Sequence, residues 1–156
     1  MVGTAERGDQ FGSALAAGDF DNDGFADLAV GVVHEGVGAA IGAGAVNVLY
    51  GSAGGLTGSG NQQFWQGAGG VAGTAESGDA FGWSLATGDF DNDGLADLAV
   101  GVPFEDIGAI DGAGAVNVMY GSADGLTAAG DQQFWQGASG VAGTAETFDT
   151  FGFALT

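Results

Sequence analysis

At residues 19–27 the chain reads DFDNDGFAD, and at residues 89–97 it reads DFDNDGLAD. In each copy, carboxylates occupy loop positions 1, 3, 5 and 9, and a glycine occupies position 6. This spacing is typical of the first part of a calcium-binding loop, in which alternate residues turn oxygen ligands inward and a glycine allows a sharp bend. Four carboxylates crowded into one short loop also repel one another unless a cation lies between them.

We therefore predict one Ca²⁺ in each loop. Position 7 of such a loop contributes its backbone carbonyl, so its side chain is free to vary. The alternative is a solvated, aspartate-rich hairpin turn, but two copies with every carboxylate in register favour the metal. The predicted ligands are Asp19, Asp21, Asp23, the Phe25 carbonyl and Asp27 in the first loop, and Asp89, Asp91, Asp93, the Leu95 carbonyl and Asp97 in the second.

The residues that follow each loop differ from those of an EF-hand. Position 12, where an EF-hand has a bidentate glutamate, is Val30 in the first copy and Val100 in the second. The flanking residues are apolar, β-branched and interrupted by glycine, which favours a strand over an exiting helix. Each loop is therefore predicted to connect two strands.

The loops belong to a longer repeat. Gly3-Thr4-Ala5-Glu6 recurs at residues 73–76 and again at 143–146, a spacing of 70 residues both times. Between residues 3–72 and 73–142, 52 of 70 positions are identical, so the two units must share one backbone. We divide the chain into a first unit at 1–72, a second at 73–142, and the start of a third at 143–156.

Four strands are expected in each unit. In the first unit they are Phe11–Ala17, rich in small residues, Asp27–Val33, Ala45–Tyr50 with Val46, Val48 and Tyr50 on one face, and Gln62–Gln66. The first strand of the second unit is expected at Phe81–Thr87. Repeated four-stranded units are typical of an all-β propeller, whose blades pack face to face. A two-sheet sandwich does not explain why the second sheet repeats the first.

The combined spacing resembles a known repeat. Phe11-Gly12, the first loop and Gly31-Val32-Val33, then Phe81-Gly82, the second loop and Gly101-Val102-Pro103, are similar to the FG-GAP repeat of integrin α-subunit propellers and related bacterial proteins. The resemblance covers nearly the whole chain. It implies blades of a ring that usually has seven, calcium in the loop between the first two strands, and an extracellular or cell-surface binding or adhesion role.

Composition restricts the possible partners. The net charge is −19 with a single basic residue, Arg7, so nucleic acid and anionic membranes would be repelled. No apolar run approaches the length of a transmembrane helix, and residues 1–6 show no signal peptide. The absence of cysteine excludes disulfides and thiolate metal sites. High glycine content suits tight turns in an all-β fold.

Other candidate residues predict no enzyme. His34 is the only histidine and has no legible nucleophile or orienting acid. A hydrolase based on the paired carboxylates is disfavoured because the acids repeat identically, as ligands would. Glu35 and Glu105 could add an outer calcium contact, although such residues are more often solvated. Trp83, which replaces Ser13, could mark a contact surface or only a packing difference.

Two functions remain open from the sequence: a calcium-stabilised module that binds a protein or glycan, and a structural scaffold for an enzyme or receptor on a longer chain. Two blades and a strand cannot close a ring, so neighbouring blades are expected as partners. We expect a fragment of a longer propeller, with ring assembly from several copies as the alternative.

Overall fold

The computed structural model describes residues 5–138 and 140–156. These residues contain no helix and form two four-stranded antiparallel sheets, each with its strands in sequence order. The all-β prediction is therefore confirmed, and each sheet has the form of one propeller blade. The first blade contains β1 (Phe11–Gly18), β2 (Asp27–Val32), β3 (Ala45–Tyr50) and β4 (Thr57–Phe64), and the second contains β5 (Ser84–Gly88), β6 (Asp97–Val102), β7 (Ala115–Tyr120) and β8 (Thr127–Phe134).

The central strands agree most closely with the sequence-based expectation. β3 has the predicted bounds, and β2 ends one residue earlier than predicted. Val46, Val48 and Tyr50 belong to one hydrophobic cluster, as the alternation predicted. Gly3 and Thr4, which open the first copy of the repeated motif, lie outside the described residues. The unit boundaries at residues 72 and 142 stay a prediction.

The fourth strand differs from its prediction at both ends. It was expected at Gln62–Gln66, whereas β4 begins at Thr57 and ends at Phe64. The pairing of Tyr50 with Thr57 closes the hairpin immediately after a tight turn, in which the Ser52 hydroxyl donates to the Gly55 carbonyl at 2.7 Å. Residues 57–61 are exposed and lack apolar alternation, so pairing with β3 alone makes them a strand.

The first strands of the two blades begin at different points of the repeat. β1 begins at Phe11, which pairs with Val32, but β5 begins only at Ser84. Phe81, the counterpart of Phe11, instead donates its N–H to the Ala43 carbonyl of the first blade at 2.8 Å. The predicted strand Phe81–Thr87 is therefore wrong in its first three residues, because they bind the preceding blade.

The third copy repeats this contact on the second blade. The Phe151 N–H donates to the Ala113 carbonyl at 2.9 Å, and Phe151 forms a parallel bridge with Gly114. Glycine is required where these backbones cross. A Cβ built on Gly31 would lie 2.2 Å from the Gly82 carbonyl oxygen, and one built on Gly101 would lie 2.1 Å from that of Gly152.

The main hydrophobic core lies between the two blades. It combines Val46 and Val48 of the first blade with Leu85 and Leu98 of the second. Phe20, at the start of the first loop, is fully buried in the same cluster. The first loop is therefore part of the contact between blades, which bears directly on the candidate site.

Candidate metal centre

The two aspartate-rich loops have the same backbone form. Asn22 and Gly24 have φ values of 59° and 89°, and Asn92 and Gly94 have values of 62° and 94°. Glycine adopts this left-handed region without steric cost, and asparagine is among the side chains that tolerate it. Each loop bends where position 6 supplies a glycine, and the strand that follows replaces the exiting helix of an EF-hand.

Three carboxylates converge in each loop. One oxygen each from Asp19, Asp21 and Asp27 lies within 4.8 Å of the others. The same holds for Asp89, Asp91 and Asp97. Two ligands on opposite sides of one Ca²⁺ are about 4.6–5.2 Å apart, since Ca–O distances are roughly 2.3–2.6 Å. The oxygen donors and their spacing therefore fit a hard divalent cation.

Electrostatics disfavours three bare carboxylates at this distance. Partial desolvation, followed by repulsion from Asp93 and the other loop carboxylates, raises the pKa of Asp91. Burial likewise raises the pKa of Asp27, with smaller contributions from Asp21 and Asp19. A bound cation reverses this effect, because an adjacent positive charge favours the ionised form of a carboxyl group.

The remaining predicted ligands are placed differently. Asp23 Oδ1 accepts a hydrogen bond from the Phe25 N–H at 2.8 Å, and Asp93 Oδ1 accepts one from the Leu95 N–H at the same distance. Neither Asp23 nor Asp93 belongs to the group of three converging carboxylates. Ligation by these two aspartates and by the Phe25 and Leu95 carbonyls stays a prediction.

The loops also hold themselves through hydrogen bonds. Asp19 accepts from the Asp23 N–H at 3.1 Å through Oδ1 and from the Gly24 N–H at 3.0 Å through Oδ2. The second loop repeats both bonds at Asp89. An ionised carboxylate has about four lone-pair sites, so these bonds leave acceptor capacity for a metal. The same bonds would also order the loop as a simple turn, which is the alternative interpretation.

The aspartate at position 9 has a structural role that the sequence did not reveal. Asp27 is buried and accepts from the Phe20 N–H at 2.7 Å and from the Gly51 N–H at 2.8 Å. Asp97 is equally buried and accepts from the Phe90 N–H at 2.6 Å and the Gly121 N–H at 2.9 Å. Each carboxylate thereby joins its loop to the turn after the third strand, a partner 24 residues away that no local pattern indicates.

Glu105 lies away from both loops. It is 5% exposed and accepts hydrogen bonds from Gln66 Nε2 at 2.6 Å and Gln133 Nε2 at 3.1 Å. Neither the expected solvation nor the suggested outer calcium contact describes this residue. Trp83 packs against Phe104 and Phe153, with ring centroids 5.6 Å and 5.3 Å apart. Its substitution for Ser13 thus accompanies a packing difference between the units.

Comparison with known proteins identifies relatives of both loops. The sequence profile of a family described as "FG-GAP repeat" matches residues 11–61 and 81–119. Integrin alpha-3 of Mus musculus is 36% identical over 155 residues, which are 96% of this chain and 12% of that protein. Integrin alpha-E of Mus musculus is 44% identical over 97 residues, 59% of this chain and 8% of that protein.

An enzyme is also among the similar proteins. Phosphatidylinositol-glycan-specific phospholipase D of Rattus norvegicus is 40% identical over 99 residues, which are 61% of this chain and 10% of that protein. The chain therefore spans only about a tenth of the length of these relatives. Within the described part of the chain, no helix is long and apolar enough to cross a membrane.

Proposed function

This chain belongs to the FG-GAP repeat family, and on that premise we propose that it is a calcium-binding propeller segment of an extracellular binding or adhesion module. The observation that carries the calcium proposal is the convergence of three carboxylate oxygens in each of two loops with the same geometry. Calcium would neutralise part of this charge and lock each loop between its two strands.

Calcium ligation is proposed for the residues predicted from the sequence. Asp19, Asp21 and Asp27, with their counterparts Asp89, Asp91 and Asp97, supply the converging oxygens. Asp23, Asp93 and the carbonyls of Phe25 and Leu95 would complete each coordination shell. Without a glutamate at position 12, we expect dissociation constants of roughly 10⁻⁵ to 10⁻³ M, a range suited to extracellular calcium.

Neighbouring blades are proposed as the first partners. Phe11 and Leu15 are 50% and 59% exposed, whereas their counterparts Phe81 and Leu85 are 0% and 7% exposed under the first blade. A preceding blade would cover Phe11 and Leu15 in the same way. Such a blade fits the greater length of the relatives, and we propose a protein or glycan ligand for the completed ring.

A second candidate function is a propeller that supports an enzyme elsewhere on a longer chain. The similarity to phosphatidylinositol-glycan-specific phospholipase D favours this alternative. In either case, we propose no catalytic role for the carboxylates of this segment, because they repeat as identical sets and serve metal ligation better than separate acid and base roles. A protein and glycan binding screen on the complete propeller separates the two candidates.

Titration calorimetry tests the calcium proposal. We expect two sites per chain, with Asp21→Ala removing one and Asp91→Ala removing the other, because each deletes a converging ligand. Asp124→Ala is a matched control, since Asp124 is an exposed aspartate outside both loops. Binding that persists unchanged in Asp21→Ala, or a total of fewer than two sites, would contradict the proposal.

A further inference from the structure

The junction between the two blades contains a buried carboxyl group with partners on both sides. Glu105 of the second blade accepts hydrogen bonds from Gln66, which follows β4 of the first blade, and from Gln133 of β8. The linker between the blades closes this site, because a Cβ built on Gly73 would lie 2.5 Å from Gln66 Nε2 and 3.0 Å from Gln133 Nε2. Glu105 and the two amides thus form one packed cluster.

The groups that face this cluster are acidic. Asp79 and Glu76 of the linker repel a charge on Glu105, and Asp106 in turn acts on Asp79. Asp79 is 2% exposed and accepts the Glu76 N–H at 2.6 Å. The chain contains one basic residue and one histidine, Arg7 and His34, and neither acts on Glu105 or Asp79. Ionisation of Glu105 therefore places an uncompensated charge inside the junction.

A neutral Glu105 suits this environment better than a charged one. Gln66 Oε1 is buried and has no hydrogen-bond partner, although the Nε2 of the same amide binds Glu105. A protonated carboxyl group adds a donor beside this acceptor. Burial, together with repulsion from Asp79 and Glu76, raises the pKa of Glu105 to about 7, even though the two amide bonds lower it.

We propose that Glu105, with Gln66 and Gln133, is a pH-sensitive latch that holds the two blades together when its carboxyl group is protonated and loosens when the proton is lost. The ordinary pKa of this side chain in the unfolded chain is 4.5, below its value of about 7 in the folded protein. The contribution of the latch to stability is therefore fully present below pH 4.5 and is lost as the pH rises through 7. Asp79, whose pKa burial raises to about 6, acts in the same direction.

Unfolding of the wild-type chain and Glu105→Gln at several pH values tests the latch. Glutamine has the same shape but no titrating proton. Relative to this variant, the wild-type unfolding equilibrium should shift about thirty-fold toward the unfolded state between pH 5.5 and pH 8.5. The comparison is made both in excess chelator and in saturating calcium, so that titration of the aspartate loops cancels between the two proteins.

Glu35→Gln is the matched control. Glu35 holds the same repeat position and faces Asp9, Glu6 and Gln63, but no preceding glutamine contacts it in the described chain. We expect a much smaller shift for this pair of proteins. A difference between wild type and Glu105→Gln that is the same at every pH would overturn the proposal.

Carbon-13 NMR titration of Glu105 in the wild-type protein gives an independent answer if Glu105→Gln does not fold. A midpoint near pH 7 supports the latch, and a midpoint near 4.5 overturns it. Gln66→Ala should raise the midpoint further, because the Gln66 bond stabilises the ionised form. Gln136→Ala should leave it unchanged, because the Gln136 amide contacts Thr144 and Asp149 instead.

Discussion

The two aspartate-rich loops differ at one residue of nine, yet they occupy different environments. In the first loop, the Asp19 carbonyl accepts the Ala96 N–H at 3.1 Å, and the Phe20 carbonyl accepts the Ser122 N–H at 3.1 Å. Both donors belong to the second blade. Within residues 5–138 and 140–156, no such bond reaches the second loop. Phe20 is fully buried, whereas its counterpart Phe90 is 53% exposed.

This difference shows that the loop has two separate roles. Its aspartates create the converging carboxylates, which are present in both copies. Its aromatic residue and carbonyls form a contact with the following blade, which only the first copy has in this chain. Formation of the candidate metal site therefore depends on the loop itself, while its rigidity depends on the neighbour.

Truncation of the aromatic residue should separate the two copies most strongly. Phe20→Ala removes a fully buried ring from the core between blades, so we expect a loss of about 3–5 kcal/mol in the free energy of unfolding. Phe90→Ala should cost about 1 kcal/mol or less, since its ring is half exposed. Denaturant unfolding measures both, and equal losses would show that the first loop is not part of the blade contact.

Calcium should stabilise the two copies unequally. At a hundred times its dissociation constant, an ion bound only to the folded state contributes about 2.7 kcal/mol per site. Because the second blade braces the first loop, we expect tighter binding there, and a larger loss of calcium-induced stability in Asp21→Asn than in Asp91→Asn.

Thermal unfolding with calcium and with chelator measures this difference. Chelation should lower the melting temperature of the wild type, and the calcium-dependent gap between the two variants should disappear in chelator. A wild-type melting temperature that is insensitive to chelator would rule out stabilisation by calcium, and a larger effect in Asp91→Asn would reverse the assignment of the tighter site.

The tyrosine that ends the third strand should show the smallest effect. The Tyr50 hydroxyl donates to Gln62 and accepts the Leu126 N–H of the second blade at 2.9 Å. Tyr50→Phe should cost about 1–2 kcal/mol because it leaves that N–H without a partner. Tyr120 binds only Gln132, in an exposed position, so Tyr120→Phe should cost about 0.5 kcal/mol. Unfolding in urea compares them, and a larger cost at Tyr120 would refute the interblade role of Tyr50.

Local patterns in the sequence were sufficient for much of this structure. The repeat of 70 residues predicted two like units, and β-branched alternation at Ala45–Tyr50 predicted a strand with the observed bounds. The spacing of aspartates and glycine predicted two loops whose carboxylates converge. Each of these features depends on residues that are close in the chain, so backbone preferences and side-chain periodicity are enough to indicate it.

Other features depend on what packs against each copy, and only the tertiary structure decided them. β5 begins at Ser84 because Phe81 and Gly82 bind the first blade, while Phe11 is left to extend β1. Phe20 is buried and Phe90 is exposed, although both follow the first aspartate of the same loop. Glu105 is enclosed by Gln66, a residue 39 positions earlier, and its carboxyl group is thereby desolvated. Two copies with nearly the same sequence share their local conformations, but burial, pairing and pKa are set by neighbours that differ between the copies.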